Sequence, residues 1–137
     1  MRRDIIETKG LSFKVVVAAP REAVFEAWTS SAGAKTFFAP EANIEARPGG
    51  AYELIFMPEA PEGQRGSEGC TILALEPPSL LCFTWNAPPT LPTVRGQRTL
   101  VRVDLEAYGA TRTLVRLQHM GWGRGDEWQA AVAYFRR

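Results

Sequence analysis

The sequence predicts an α+β domain in which a curved antiparallel sheet wraps around a C-terminal helix, with two short helices after the first strand. Three observations carry this reading. An apolar β-type run opens the chain and is followed by a helical segment introduced by Pro20. A long series of alternating segments separated by Gly- and Pro-rich turns then extends to Met120. The last segment, "DEWQAAVAYFRR", repeats apolar residues at helical spacing, and one amphipathic helix needs a sheet on which to bury its stripe. At 137 residues the chain is expected to form one domain, residues 1–137.

Taken in order, "LSFKVVV" reads as a strand with Leu11, Phe13, Val15 and Val17 on one face. In "PREAVFEAW", Val24, Ala27 and Trp28 fall on one side of a helix, and Arg21, Glu22 and Glu26 face water. Thr29, Ser30 and Ser31 break it and can cap a second helix running from Ala34 to Phe38. A strand meander follows. "NIEA" leads through Arg-Pro-Gly-Gly into "AYELIF". Two glycines after Arg47-Pro48 could cradle a phosphate, but such a loop should open a helix and carry Lys-Ser/Thr, whereas strand residues follow here. The pair reads as a turn. "MPEAPEGQRGSEG" is an aperiodic polar loop, "CTILALE" a strand stopped by Pro77-Pro78, and "SLLCFTW" the next strand. "NAPPTLPTVRGQ", dense in proline, is expected to be extended. "TLVRVDLEA" and "TRTLVRLQH" form a hairpin through "YGA". Val101, Val103 and Leu105 face inward, and Arg102, Asp104 and Glu106 pair with Arg112 and Arg116 on a wet face. In the last helix Trp128, Ala131, Val132 and Phe135 form the apolar stripe.

Composition narrows function. A net charge of +1 provides no electrostatic footprint for nucleic acid or an anionic membrane. No segment has the length of a membrane span and no signal-peptide pattern opens the chain, so a cytoplasmic location is expected. Cys70 and Cys82 lie in apolar runs as small hydrophobes, and with His119 as the single histidine no Cys/His zinc site can be assembled. The same scarcity excludes a Ser-His-Asp set or a Cys-His dyad. No cofactor or metal is called for.

What remains is aromatic. Trp28, Phe37, Phe38, Tyr52, Phe56, Phe83, Trp85, Trp122 and Trp128 are either plain core or the lining of an apolar pocket. His119, in phase with Thr113, Val115 and Leu117, is either a buried histidine bonded to a backbone carbonyl or a ligand contact. Glu53 interrupts an apolar strand. Pointing unpaired into a cavity it could act as a general base, and otherwise it is a solvent-face or Arg-paired glutamate.

Four stretches, "APREAVFEAWTSSAGAKTFF", "ARPGGAYELIF", "EGCTILALEPPSLLCFTW" and "HMGWG", resemble, in the right order, the activator-of-Hsp90-ATPase-homologue branch of the START-like, or helix-grip, superfamily. The resemblance implies a sheet gripping a long last helix, with an elongated cavity between them and the short-helix pair. Residues placed to line it are Trp28, Phe37, Phe38, Phe56, Phe83, Trp85, His119 and Trp122, with Glu53 as a polar group. It implies an apolar small molecule as partner, or alternatively a chaperone of the Hsp90 type, or cyclase- or hydratase-like catalysis in the same cavity. The reading favours the binding module over the enzyme, with Glu53 and His119 forming no catalytic pair. Two departures stand out. Phe37 and Phe38 occupy a place where the family often has Trp, and the final helix is about one or two turns short of the family's habit. The uncovered sheet then suggests a homodimer, with Tyr134 and Phe135 at its interface.

Overall fold

The computed structural model describes residues 11–136. Strand β1 (Leu11–Val17) is followed by helices α1 (Arg21–Thr29) and α2 (Ser31–Phe37) and strands β2 (Glu41–Ile44), β3 (Tyr52–Ile55), β4 (Ile72–Glu76) and β5 (Leu80–Trp85). Helix α3 (Pro92–Gln97), strands β6 (Thr99–Ala107) and β7 (Thr113–Met120) and helix α4 (Asp126–Arg136) complete the chain. The main sheet is antiparallel in the order β1-β7-β6-β5-β4. The α+β arrangement is therefore the expected one.

The expected single meander is divided. β2 and β3 form their own antiparallel pair, tied to the segment leading into β4 by the bridges Ala51–Thr71 and Ile55–Gly66. Tyr52 N–H donates to the Cys70 carbonyl at 2.8 Å, and the Gly49 N–H donates to that of Ile72 at 2.8 Å. Gly49 adopts a φ of +84°, which L side chains resist, and a Cβ on Gly50 would collide with the Glu45 carbonyl. The Arg-Pro-Gly-Gly stretch is a turn into a strand, as its sequence context indicated.

Ser30 both ends α1 and caps α2, its hydroxyl accepting from the Gly33 N–H at 2.9 Å. The second helix consequently starts at Ser31 rather than Ala34. The inward face of α1 gains a residue, since Phe25 is buried together with Val24 and Thr29 while Trp28 is half-buried. The proline-rich segment is not wholly extended. Pro92 begins a one-turn-plus helix at the position where a missing N–H costs nothing, and the buried Val94 takes its N–H to the Glu127 carboxylate at 2.8 Å. Proline density masked that helix start.

β1 departs most from its pattern. Leu11 is buried and Val17 packs on the core, but Phe13 and Val15 are 45% and 57% exposed. Alternation put all four on one face, and the pairing of Phe13 with Leu117 and Val15 with Val115 makes that the inner face. Among the described residues β1 lies at the sheet edge, where Phe13 and Val15 stay wet. The hairpin's outer face carries the expected cross-strand pairing in Arg116–Glu106, while its other charges pair differently. Arg102 grips Asp104 two residues along its own strand at 2.8 and 2.9 Å, Arg116 approaches Glu106 at 3.7 Å, and Arg112 lies over the Tyr108 ring.

The polar loop before β4 is ordered by one carboxylate. Glu68 accepts from the N–H groups of Gly63, Arg65 and Gly66 and faces Arg95 at 3.3 Å. Its burial raises the carboxyl pKa, but the backbone donors outweigh this and hold it below the usual carboxylate range. Arg95 also donates to the carbonyls of Gly63, Gly66 and Ala87, joining this loop to α3. Gly66 lies where a Cβ would overlap the Leu54 carbonyl. Gly66→Ala should therefore cost about 1–3 kcal/mol by forced displacement of the loop. Urea unfolding measures it, and a loss within a few tenths of a kcal/mol would contradict the close approach.

Candidate functional site

Two separate aromatic groups emerge, where the sequence suggested one lining. The first gathers Trp28 from α1, Phe37 and Phe38 from the end of α2, Phe56 beyond β3, Tyr52 from β3, and Phe83 and Trp85 from β5. Phe38 is its hub, with ring centroids 5.3 Å from Phe37, 5.4 Å from Trp28, 5.9 Å from Phe56 and 6.0 Å from Trp85. Beneath it Phe83 stacks on Tyr52 at 4.1 Å. The group is graded in depth. Tyr52 and Phe83 are buried, Trp28, Phe38 and Trp85 are half-buried, and Phe37 and Phe56 are 52% and 40% exposed at the rim. Such a shelf presents polarisable ring faces and edges to a ligand with little side-chain entropy to lose.

Tyr52 fixes the shelf from below. Its hydroxyl donates to the Trp28 carbonyl at 2.8 Å, and burial pushes its pKa above the ordinary phenol value, so the donor stays protonated. The sequence counted Tyr52 among the aromatic residues of core or pocket, but did not mark it as the link between β3 and α1.

The second group holds His119, Trp122, Trp128 and Phe135, with Leu11, Val94 and Ala131 in the same buried cluster. His119 is 4.4 Å from the Trp122 ring and 4.6 Å from that of Phe135. Its Nε2 lies 2.7 Å from the Thr99 hydroxyl, and its own carbonyl accepts from Trp122 Nε1 at 2.8 Å. The side chain's expected backbone-carbonyl partner is thus replaced by Thr99, a residue the sequence did not single out. Phe135, half-buried, packs within the chain against His119, Trp122 and Tyr134.

Of the residues expected to line one cavity, Phe37, Phe56, Phe83 and Trp85 come together and His119 and Trp122 lie in the other group. Glu53 belongs to neither. Its two carboxylate oxygens accept from Asn43 Nδ2 at 3.1 Å and from the Gly69 N–H at 2.8 Å, tying the β2–β3 pair to the loop before β4. Among the described residues it forms no ion pair with an arginine and no acid–base pair with His119. Cys70 is buried, and burial pushes its thiol pKa up despite Arg98, whose Nη1 lies 3.4 Å from Sγ. Among the described residues no group of three or more His, Cys, Asp and Glu could hold a metal ion. No helix among them is long and apolar enough to cross a membrane. A hollow of about 390 Å³ lies away from both aromatic groups, over the β1–β7 pair.

This architecture has a family. The model of the Activator of Hsp90 ATPase homolog 1-like proteins matches residues 18–136. The chain belongs to that family. No curated protein matches the sequence. Among solved structures, the chain is similar to an HSP90 activator from Plasmodium falciparum, with 14% identity over 93% of this chain and 86% of that one and a TM-score of 0.64. An Aha1 dimer from Colwellia psychrerythraea gives 19% identity, 92% and 87% coverage and a TM-score of 0.62. CalU16 from Micromonospora echinospora gives 24% identity over 80% of this chain and a TM-score of 0.57, and the chain spans 57% of that protein's length. At these identities the likeness is one of fold.

His119 makes the second group sensitive to acid. Burial lowers its pKa from 6.5 to about 4, so the folded chain resists a proton that the unfolded chain accepts near 6.5. Its contribution is intact above pH 6.5 and is lost as the pH falls from about 6.5 to about 4, reaching on the order of 3 kcal/mol. Urea unfolding between pH 4 and 7 should show this decline, and His119→Gln should flatten that part of the profile. An unchanged slope in the variant would assign the acid sensitivity elsewhere.

Proposed function

We propose that this member of the Activator of Hsp90 ATPase homolog 1-like family is a binding module that seats an apolar small molecule on its aromatic shelf. The observation that carries the reading is the gradient from buried Phe83 to exposed Phe37 and Phe56 within one set of touching rings. Rings at the rim remain wet although they join a core, which is the arrangement of a surface awaiting an apolar partner. Ligand contacts fall to Trp28, Phe37, Phe38, Phe56 and Trp85, with Phe83 as the floor. His119 and Trp122 support the fold instead, and Glu53 is a tie rather than a polar group of the site. No acid–base pair lies in the shelf, so a cyclase- or hydratase-like reaction is not part of the proposal.

A second reading has support from the comparisons. The same shelf could receive an Hsp90-type chaperone, since the family bears that name and one similar structure is described as an HSP90 activator. A cytoplasmic setting suits either partner. Dimerisation is also proposed, by likeness to the Colwellia relative described as a dimer. If it uses α4, Tyr134 at 43% exposure is the aromatic residue in position, rather than Phe135. Light scattering across a dilution series tests it, and a monomer mass at all micromolar concentrations removes the dimer.

The shelf is tested with 1-aminoanthracene, a neutral planar probe whose approach should quench Trp28 and Trp85. Saturable binding is expected, weakened about tenfold by Phe37→Ser and by Phe56→Ser, each equivalent to about 1.4 kcal/mol. Both positions are at the rim, so thermal stability should change little. Binding unaffected by either substitution would remove the small-molecule reading. Purified Hsp90 that binds the wild type and competes with the probe, with both rim variants weakened, would favour the chaperone.

A further inference from the structure

Strand β1 is bonded to β7 on one side, and among the described residues no strand adjoins its other side. A free edge presents a row of backbone N–H and C=O groups, otherwise hydrated, that another extended segment can pair with along their whole length. The side chains indicate what kind. Phe13 and Val15 are exposed on the inner face, continuing the apolar surface of Leu117 and Val115. On the outer face Lys14 stands directly opposite Arg116, and Ser12 opposite Gln118, around the hollow of about 390 Å³.

The charge of this hollow is unbalanced. Asp104, its one acid, is held in a two-point grip by Arg102. Arg116 has only the exposed Glu106, at 3.7 Å, and no carboxylate among the described residues pairs with Lys14. Arg116 stands opposite Lys14 on one side and Asp104 on the other, so Lys14 is the cation of this hollow left to an added anion, beside a like charge that makes such an anion more favourable.

We propose that β1 is a docking edge for an extended segment of an acidic partner protein, which adds to the sheet as a further strand. Its residues alternate, with carboxylates on the outer face toward Lys14 and Arg116 and apolar side chains on the inner face beside Phe13 and Val15. Backbone bonds supply the attachment, and the two faces supply the selection. A second copy of this chain is the poorer fit. Pairing β1 with β1 about a two-fold axis normal to the sheet gathers two Lys14 and two Arg116 on one outer face. An axis in the sheet plane instead puts each Lys14 on the other copy's apolar face. This surface is separate from the aromatic shelf, so it stands or falls independently of the small-molecule reading.

The test uses the full chain and two labelled heptapeptides, one alternating Glu and Val and the other alternating Lys and Val, followed by fluorescence anisotropy. The Glu-Val peptide should bind and weaken with added salt, and the Lys-Val peptide should not bind. Lys14→Glu should weaken the Glu-Val peptide about tenfold and admit the Lys-Val peptide, and Phe13→Ser should weaken binding without loss of thermal stability. Both substitutions are at exposed positions, so the fold is retained. Equal binding of the two peptides, or binding of neither, overturns the proposal. So does a dimer that Lys14→Glu alters and the Glu-Val peptide leaves intact, because the edge then belongs to a second copy. Edge amides of β1 already protected from exchange in the free monomer also overturn it, because the chain then fills its own edge.

Discussion

The arrangement of this domain hangs on Tyr52. Its ring stacks on Phe83, which joins the β2–β3 pair to β5, and its hydroxyl reaches the Trp28 carbonyl, which joins the same pair to α1. A phenol buried this deeply needs a hydrogen-bond partner, and a helical carbonyl near the end of α1 has a free lone pair to offer. One side chain therefore satisfies a buried donor, closes the small sheet over the large one, and sets the height of the rings above it. Phe38, Trp28 and Trp85 rest on that floor, and Phe37 and Phe56 are left at the rim.

Covering is uneven for a physical reason. α1 crosses the middle of the sheet at β6 and buries Val101, Val103 and Leu105 with its Val24 and Phe25. α4 instead works at one end of the sheet. Trp128 and Ala131 pack with Leu11, Val94 and Trp122, and Glu127 caps the amide of Val94. Two cores result, each with its own polar anchor: the Tyr52 hydroxyl in one and the His119–Thr99 contact in the other. Between these covered regions β1 keeps Phe13 and Val15 in water, and the rim of the shelf keeps Phe37 and Phe56 there. These two wet apolar places differ in chemistry: the rim of the shelf is aromatic, and the β1 edge borders Lys14 and Arg116.

Family membership and these surfaces answer different questions. Membership in the Activator of Hsp90 ATPase homolog 1-like family accounts for the sheet, the short-helix pair and the last helix. It does not choose between a small molecule and a protein, because one scaffold accommodates either. That choice rests on exposed side chains, and on whether the groups that could do chemistry are free. Here Glu53 is committed to Asn43 and Gly69, and His119 to Thr99. Polar groups already bonded within the chain hold loops and strands together more readily than they move protons.

By itself the sequence determined what depends on near neighbours along the chain. Alternation in "TLVRVDLEA" placed Val101, Val103 and Leu105 inward, helical spacing placed Trp128 and Ala131, and Gly49-Gly50 announced a turn. The aromatic members of the shelf were also legible as residues, because large apolar side chains at inward positions must meet something. Which of them meet was decided only by the tertiary structure. The sequence grouped His119 and Trp122 with Phe83 and Trp85 as one lining, yet α4 draws the first two to the end of the sheet while Tyr52 and Phe38 hold the others at its mouth. The exposure of Phe13 and Val15 was likewise beyond local pattern. A period of two assigns a residue to a face, but whether that face is covered depends on the position of its strand in the sheet, which only the long-range pairing of β1 with β7 fixes.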